Sequence, residues 1–249
     1  MNRPEFTGEI AVVTGASSGI GLATSKLLVE HGARVLGTAR TEAGVETLRA
    51  IDVTPIRCDV ASDHGRQALV EASRDCRYLV NAAGANRVQA ITEVAEDDYD
   101  FVMNVNAKAT FFLCQKIGST MERGSSIVNV SSTAAKVAGP QVAVYAGAKA
   151  ATLAFTRAFA LEYASRGVRV NAVLPKLIST KMQRDFVVQS AQIQGKSVEE
   201  LEAERIQSIP LGRAGTPREC AEVILFLLGH ASSYMSGQSI NVTGGWLML

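Results

Sequence analysis

Residues 10–21 of the chain read Ile-Ala-Val-Val-Thr-Gly-Ala-Ser-Ser-Gly-Ile-Gly. The first five residues form a short apolar run that is typical of a buried strand. From residue 20 to residue 31, apolar side chains recur at helical spacing, and Gly32 marks the end of that pattern. The glycines between the two patterns favour a sharp turn, because glycine adopts backbone conformations that other residues avoid. The stretch therefore predicts a strand, a tight turn and a helix in immediate succession.

Outward from this stretch, short apolar runs alternate with helical patterns. Further strands are predicted at residues 35–38, 55–58, 78–81, 127–130, 168–173 and 239–242, and further helices at residues 45–50, 67–72, 97–121 and 145–164. Strands that alternate with helices are typical of a parallel sheet joined by crossover helices, and continuous apolar runs indicate that both faces are covered. We predict an α/β fold: a single doubly wound (Rossmann-type) parallel sheet with helices on both faces, forming one domain over residues 1–249.

Residues 179–210 depart from this alternation. They form a charged helical pattern with Gln, Glu, Lys and Arg and contain no strand. An insertion of this length near the carboxyl ends of the strands is typical of a functional loop. We predict that this segment forms a lid over a substrate site.

Composition excludes several classes of protein. The 25 Lys and Arg residues balance 24 Asp and Glu residues, so nothing in the net charge of +1 favours nucleic acid or an anionic membrane as a partner. Residues 1–8 lack the apolar stretch of a signal peptide, and the apolar run at 223–228 is too short to cross a bilayer. The four cysteines and three histidines are scattered without metal-ligand spacing. We expect a cytoplasmic protein with no metal ion and no disulfide framework.

The predicted turn after the first strand is suited to phosphate. A helix N-terminus presents free N–H groups and a positive dipole end to an anion. The spacing of Gly15, Gly19 and Gly21 is Gly-x-x-x-Gly-x-Gly, which departs from the more common Gly-x-Gly-x-x-Gly fingerprint. A glycine-rich turn without a ligand is the alternative, but a strand before the turn and a helix after it favour dinucleotide binding.

A second group of residues is suited to proton transfer. Tyr145 and Lys149 are four residues apart in a helical pattern, so they share one face of the helix. A tyrosine hydroxyl has a pKa of about 10, and a nearby ammonium group is expected to lower that pKa towards neutral pH. Ser132 follows the fifth predicted strand and would donate a hydrogen bond to a substrate oxygen. A solvated Tyr–Lys pair is the alternative, and the phosphate turn earlier in the chain favours the catalytic interpretation.

These motifs together resemble the short-chain dehydrogenase/reductase family, including its 3-oxoacyl-carrier-protein reductase and carbonyl reductase members. The resemblance covers residues 9–246 and is carried by residues 14–21, Asp59-Val60, residues 81–84 (Asn-Ala-Ala-Gly), Asn106, Ser132, Tyr145, Lys149 and residues 171–175 (Asn-Ala-Val-Leu-Pro). It implies an enzyme that transfers a hydride between a nicotinamide cofactor and a carbonyl or secondary alcohol.

The resemblance also implies roles for single residues. Tyr145 would be the general acid/base, Ser132 the substrate-oxygen donor, and Asn106 the anchor of a water in a proton relay. Lys149 would lower the tyrosine pKa and hold the nicotinamide ribose. The implied cofactor-binding residues are Gly15, Ser17, Ser18, Gly19, Ile20, Gly21, Arg40, Asp59, Val60, Asn81, Ala82, Gly84, Tyr145, Lys149, Pro175, Ile178 and Thr180.

Three positions depart from the family's pattern. Ala82 stands where relatives often have a second Asn, and Thr243 stands where they often have Asp before two glycines. Lys176 stands where Gly often follows Pro175. Its cation would contact a cofactor phosphate or an acidic substrate, or it would simply be solvated.

The end of the second predicted strand bears on cofactor choice. NAD-specific sites often have an acidic residue there that binds the ribose hydroxyls. This chain has Ala39, followed by Arg40, and a guanidinium group matches a 2′-phosphate. We therefore favour NADP(H) as cofactor. NAD(H) stays the alternative, because Ser18 occupies a position where some NADPH-using relatives have a second basic residue.

The sequence leaves the substrate open. By family position, Ala134, Val142 and Lys176 would lie near it, which indicates a partly apolar pocket. The apolar residues of the helix after Tyr145 cover more of its circumference than one sheet contact needs, so we expect part of that surface to pack against another subunit. The family resemblance implies a homotetramer, and a homodimer is the alternative. Alternatives are a non-catalytic dinucleotide-binding redox regulator, an interaction protein, and an isomerase or dehydratase that retains NAD.

Overall fold

The computed structural model describes residues 6–248. The first five residues and Leu249 of the predicted domain, and with them most of the segment considered for a signal peptide, lie outside the described residues. The strands are β1 (Ile10–Thr14), β2 (Arg34–Ala39), β3 (Thr54–Arg57), β4 (Cys76–Asn81), β5 (Ser126–Val130), β6 (Arg169–Pro175) and β7 (Ser239–Val242). They form one parallel sheet in the order β3-β2-β1-β4-β5-β6-β7.

Helices cover both faces of this sheet. They are α1 (Gly19–Glu30), α2 (Glu42–Arg49), α3 (Asp63–Ala72), α4 (Glu96–Met103), α5 (Ala109–Gly118), α6 (Ala143–Tyr163), α7 (Lys181–Gln194), α8 (Val198–Gln207) and α9 (Pro217–Leu228). Leu28 of α1 and Ile224 of α9 belong to the core on one face, and Leu113 of α5 and Phe159 of α6 to the core on the other. The predicted doubly wound parallel sheet is confirmed.

The strand order reverses between β1 and β4, which places a crevice at the carboxyl ends of these strands. The Thr14 hydroxyl at the end of β1 accepts hydrogen bonds from the backbone N–H groups of Ala82 and Ala83, each at 3.0 Å. In open α/β sheets, ligands bind at such a reversal point. The order of the strands therefore determines where a ligand site is expected.

The predicted helix at 97–121 differs from the structure. The segment contains α4, a π-helical turn at Asn104–Lys108 and then α5, which ends at Gly118. The Asn106 side chain donates to the carbonyl oxygens of Val102 and Ala85, at 2.8 and 2.7 Å. A single π turn inside a helix is frequent at functional sites, and apolar periodicity does not reveal it.

Two further differences concern the carboxyl-terminal part. The charged segment at 179–210 forms two helices, α7 and α8, rather than one pattern. The apolar run at 223–228 belongs to α9, which the sequence analysis did not assign as a helix. The signal for it was present: Thr216 and Glu219 form a capping box, and Pro217 occupies the first helical position. Within residues 6–248, no helix combines the length and apolar character needed to cross a membrane.

Candidate active site

A cavity of about 560 Å³ lies at the carboxyl ends of the central strands. Nearly all of the predicted site residues line it. They are Gly15, Ser17, Ser18, Gly19, Ile20, Gly21, Arg40, Asp59, Val60, Ala82, Gly84, Ser132, Ala134, Val142, Tyr145, Lys149, Pro175, Lys176, Ile178 and Thr180. The two predicted residues that do not line it are Asn81 and Asn106. The structure thus brings a constellation from seven separate stretches of sequence into one cavity.

The glycine turn lies at one end of the cavity. Gly15 has a left-handed backbone, with φ of +63°, and a Cβ there would lie 2.8 Å from the Cα of Ala83. A Cβ on Gly21 would overlap the carbonyl oxygen of Gly15. Ser18 precedes α1 but its side chain does not cap the helix, so the first N–H groups of α1 are left for another acceptor. The turn therefore fits a pyrophosphate, as the sequence predicts.

Arg40 lies beyond this turn, where β2 ends. It is exposed, lines the cavity, and has no hydrogen-bond or ion-pair partner among residues 6–248. Asp59 and Val60 line the same end, and the Asp59 carboxylate accepts a hydrogen bond from the Ala61 N–H at 2.9 Å. Cys58, which the sequence analysis did not select, also lies there. This end of the cavity is therefore suited to the adenosine part of a dinucleotide.

Asn81 is not brought to the cavity wall. Its side chain is 4% exposed and donates to the Asn129 side-chain oxygen at 2.9 Å and to the Cys114 sulfur at 3.3 Å. Asn129 lies on the neighbouring strand β5, and Cys114 lies on α5, which packs over the sheet. The side-chain oxygen of Asn81 is buried without a hydrogen-bond partner. The role of Asn81 at an adenosine ribose stays a prediction.

Ser132 and Tyr145 meet at the other end of the cavity. The Ser132 side chain forms a hydrogen bond with Tyr145 and also accepts one from the Ala134 N–H at 3.2 Å. Ser132 leaves the carboxyl end of β5, whereas Tyr145 stands in the first turn of α6. The ten residues 133–142 thus return the chain to the strand ends. The predicted meeting of the two hydroxyl groups is present in the structure.

Lys149 lies one helical turn beyond Tyr145. It is 4% exposed, and its Nζ donates to the Val130 carbonyl oxygen at 2.9 Å. The Nζ lies 5.6 Å from the centroid of the Tyr145 ring. Burial lowers the pKa of Lys149 to about 8, because a charged amine loses hydration there. A buried lysine with one carbonyl partner retains donors for a further acceptor.

The pKa of Tyr145 moves in the direction opposite to the one expected from the sequence. Burial raises it above its ordinary value, and the hydrogen bond with Ser132 lowers it by a smaller amount. The physical reason is that burial destabilises the charged phenolate by more free energy than the hydrogen bond with Ser132 stabilises it. Tyr145 therefore holds its proton at neutral pH, which is the state that a proton donor to a carbonyl needs.

Asn106 lies directly behind the cavity wall. Its side chain is fully buried and bonded to Ala85, and a Cβ on Gly84 would lie 3.2 Å from its Oδ1. Its backbone carbonyl accepts hydrogen bonds from the hydroxyls of Thr110 and Thr152, at 2.9 and 3.4 Å. The π turn thus fixes Asn106 within the wall. Its role in a water relay stays a prediction.

The segment at 179–210, which was predicted to be a lid, supplies several cavity-lining side chains that were not expected from the sequence. From α7 and α8, Met182, Gln183, Phe186, Gln194 and Arg205 line the cavity, and Trp246 lines it from the carboxyl-terminal segment. The charged helical pattern indicated a lid, but periodicity alone does not tell which of its side chains face inward. No group of three or more His, Cys, Asp or Glu residues within the described range is placed to hold a metal ion.

Comparisons with known proteins agree with this geometry. A family model described as enoyl-(acyl carrier protein) reductase matches residues 15–247. The 3-oxoacyl-[acyl-carrier-protein] reductase FabG of Chlamydia pneumoniae is 38% identical, with 96% of this chain and 97% of that protein covered. Carbonyl reductase family member 4 of Danio rerio is 34% identical, with 96% and 98% covered. A variant of actinorhodin polyketide ketoreductase, solved with NADPH, has a TM-score of 0.90 at 34% identity, with 96% and 97% covered.

Proposed function

Since this chain belongs to the short-chain dehydrogenase/reductase family and is an NAD(P)-dependent oxidoreductase, we propose that it uses NADPH to reduce a carbonyl group to a secondary alcohol. The observation that carries this proposal is that Ser132, Tyr145 and a buried Lys149 line one cavity, with the Lys149 Nζ 5.6 Å from the centroid of the Tyr145 ring and the Ser132 hydroxyl interacting with Tyr145. A non-catalytic redox regulator would have no need to hold two hydroxyl groups and a buried Lys149 at one point of the cavity.

Each residue has a distinct part in the proposed reaction. When bound, the dinucleotide supplies a hydride to the carbonyl carbon. Ser132 donates a hydrogen bond to the carbonyl oxygen, and Tyr145 gives that oxygen its hydroxyl proton as the new C–H bond forms. Lys149 holds the nicotinamide ribose and stabilises the phenolate that remains on Tyr145. The product is an alcohol, and the proton of Tyr145 is restored from solvent through the side of the cavity near Asn106.

The preference for NADPH rests on Arg40. Its guanidinium group lines the adenosine end and has no carboxylate partner among the described residues, so it is available to a 2′-phosphate. The acidic residue lining this end is Asp59, which stands at the end of β3 rather than β2. NAD(H) remains the alternative cofactor.

The lid, the assembly and the location complete the proposal. The segment at 179–210 closes over the substrate, since α7 and α8 both contribute side chains to the cavity.

The chain forms a homodimer or homotetramer through α6, whose outer face exposes small and apolar residues at helical spacing: Gly147, Ala150, Ala154, Ala158 and Leu161. A monomeric mass in light scattering would refute this assembly. The four unpaired cysteines support a cytoplasmic location, and we propose neither nucleic acid nor membrane as a partner.

The proposed function is tested by measuring NADPH oxidation with a panel of carbonyl compounds. The panel contains neutral ketones, oxo acids, keto sugars and a neutral 3-oxoacyl thioester, together with an enoyl thioester. We expect one or more carbonyl compounds to be reduced and the enoyl thioester to be left unchanged. Reduction of the enoyl thioester alone, or of no compound while NADPH binds, would contradict the proposal.

A further inference from the structure

We propose that the substrate of this enzyme bears an anionic group, a carboxylate or a phosphate, which Lys176 and Arg205 bind under the lid while the carbonyl group of the same molecule meets Ser132 and Tyr145. This inference rests on the proposed function, because it names the substrate class of the same cavity. Lys176 and Arg205 would then determine substrate specificity, although neither belongs to the four residues proposed for catalysis: Asn106, Ser132, Tyr145 and Lys149.

The position of Lys176 follows from the register of the sheet. Val130 of β5 pairs with Val173 of β6. Ser132 lies two residues beyond Val130, and Lys176 lies three residues beyond Val173, so both residues leave neighbouring strand ends. Arg205 approaches the cavity from α8 of the lid. Lys176 and Arg205 thus line the same cavity as Ser132 and Tyr145.

Uncharged contacts hold both cations in place. The Lys176 ammonium group lies 3.8 Å from the centroid of the Trp246 ring, on its face. The Arg205 guanidinium group lies 4.4 Å from the centroid of the Phe186 ring. When the side-chain amide of Gln183 is placed with its oxygen towards Arg205, that oxygen accepts hydrogen bonds from Nη2 and Nε of Arg205, at 2.8 and 3.2 Å. These contacts orient the two charges without neutralising them.

No ion pair neutralises either cation within residues 6–248. Lys181 at the start of α7, by contrast, pairs with Asp185 at 2.6 Å. Lys176 and Arg205 are both partly buried, and burial together with the neighbouring Arg205 charge lowers the pKa of Lys176 to about 8. Two like charges that have lost part of their hydration disfavour each other. An anion bound to both would offset that cost, which agrees with two cations that line one cavity and rest on aromatic rings rather than on carboxylates.

The chemistry of the pair limits the class of ligand. A guanidinium fork matches the oxygens of a carboxylate or a phosphate, and an ammonium group adds a point charge. Because Lys176 and Ser132 leave adjacent strands, one small molecule can present an anion to the first and a carbonyl oxygen to the second. An oxo acid or a keto phosphate satisfies both requirements, whereas a neutral ketone leaves the two cations without a partner.

A tryptophan beside Lys176 can report on the binding of an anion by its fluorescence. Trp246 is the single tryptophan of the chain, and Lys176 lies on its ring. The experiment titrates the enzyme in complex with NADP⁺ and follows Trp246 fluorescence. The ligands are three matched pairs: acetoacetate and its methyl ester, levulinate and its methyl ester, and dihydroxyacetone phosphate and dihydroxyacetone. The first two pairs test a carboxylate, and the third tests a phosphate.

We expect one or more anions to bind at least about tenfold more tightly than the neutral partner, since hydrogen bonds to charged groups are the strong ones. Lys176→Met and Arg205→Met should each weaken binding of that anion by about tenfold or more, and should leave the neutral partner within about twofold. Arg184→Met is the matched control, because Arg184 is an exposed lid arginine that does not line the cavity. It should change neither affinity.

Several outcomes would overturn the inference. Equal binding of every anion and its neutral partner would do so, as would anion binding that both variants retain. A loss of NADP⁺ affinity in Lys176→Met would assign this cation to the dinucleotide instead. If one variant does not fold, as judged by circular dichroism, the other decides the question. Failure of the proposed function gives a different result: the anions then bind as described, yet no carbonyl compound is reduced.

Discussion

Tyr145→Phe should lower kcat/KM for carbonyl reduction by about 10²- to 10⁴-fold, because it removes the proton donor and little else. The phenyl ring keeps its place in the first turn of α6 and loses only the hydroxyl that bonds Ser132. NADPH affinity should stay within about threefold of the unmodified enzyme, since the ribose contact is assigned to Lys149. The measurement is steady-state NADPH oxidation with the best carbonyl of the panel, beside a fluorescence titration with NADPH.

The matched control is Tyr99→Phe, which deletes the hydroxyl of a tyrosine in α4 that is 48% exposed and does not line the cavity. It should leave kcat/KM unchanged. A Tyr145→Phe enzyme that keeps more than about a tenth of its activity would show that another group protonates the carbonyl oxygen. The roles assigned to Ser132 and Tyr145 would then have to be withdrawn, although the dinucleotide site would stand.

Arg40→Ala should weaken NADPH binding by about tenfold to a hundredfold and leave NADH binding within about twofold. The charge-assisted hydrogen bonds of a guanidinium group to a phosphate are worth about 1.5–3 kcal/mol, and each 1.4 kcal/mol is a factor of ten. NADH has no 2′-phosphate, so it should not respond to the loss. The measurement is a parallel fluorescence titration with the two reduced cofactors.

Arg57→Ala is the control for this substitution. Arg57 ends β3, the strand beside β2, but it pairs with Glu42 at 3.1 Å and does not line the cavity. It should therefore lower neither affinity. If Arg40→Ala weakens NADPH and NADH binding equally, the preference for NADPH does not come from Arg40. If the unmodified enzyme binds NADH more tightly, the cofactor preference itself is wrong while the enzyme class is unaffected.

Local patterns were enough for the sheet and for most of the site. The strand at Ile10–Thr14, the turn and α1 were predicted because each depends on neighbouring residues, through apolar spacing and the conformational freedom of glycine. Tyr145 and Lys149 were placed on one helix face because a helix brings residues four apart together. By contrast, α9 was missed although its capping box is written in the sequence, because its apolar run was considered only as a membrane span.

The sequence by itself thus determined the doubly wound sheet, the glycine turn and the placement of Tyr145 and Lys149 on one helix face, since strand and helix periods and short motifs are local properties. Only the tertiary structure decided three other matters. It turned Asn81 towards Asn129, away from the cavity, and it raised the pKa of Tyr145 by burial. It also brought Lys176 and Arg205, which are 29 residues apart in the chain, to the wall of one cavity. The surroundings of each of these side chains are set by residues that are distant in the sequence. Only the packing of the folded chain decides which of those residues contact the side chain and exclude water from it.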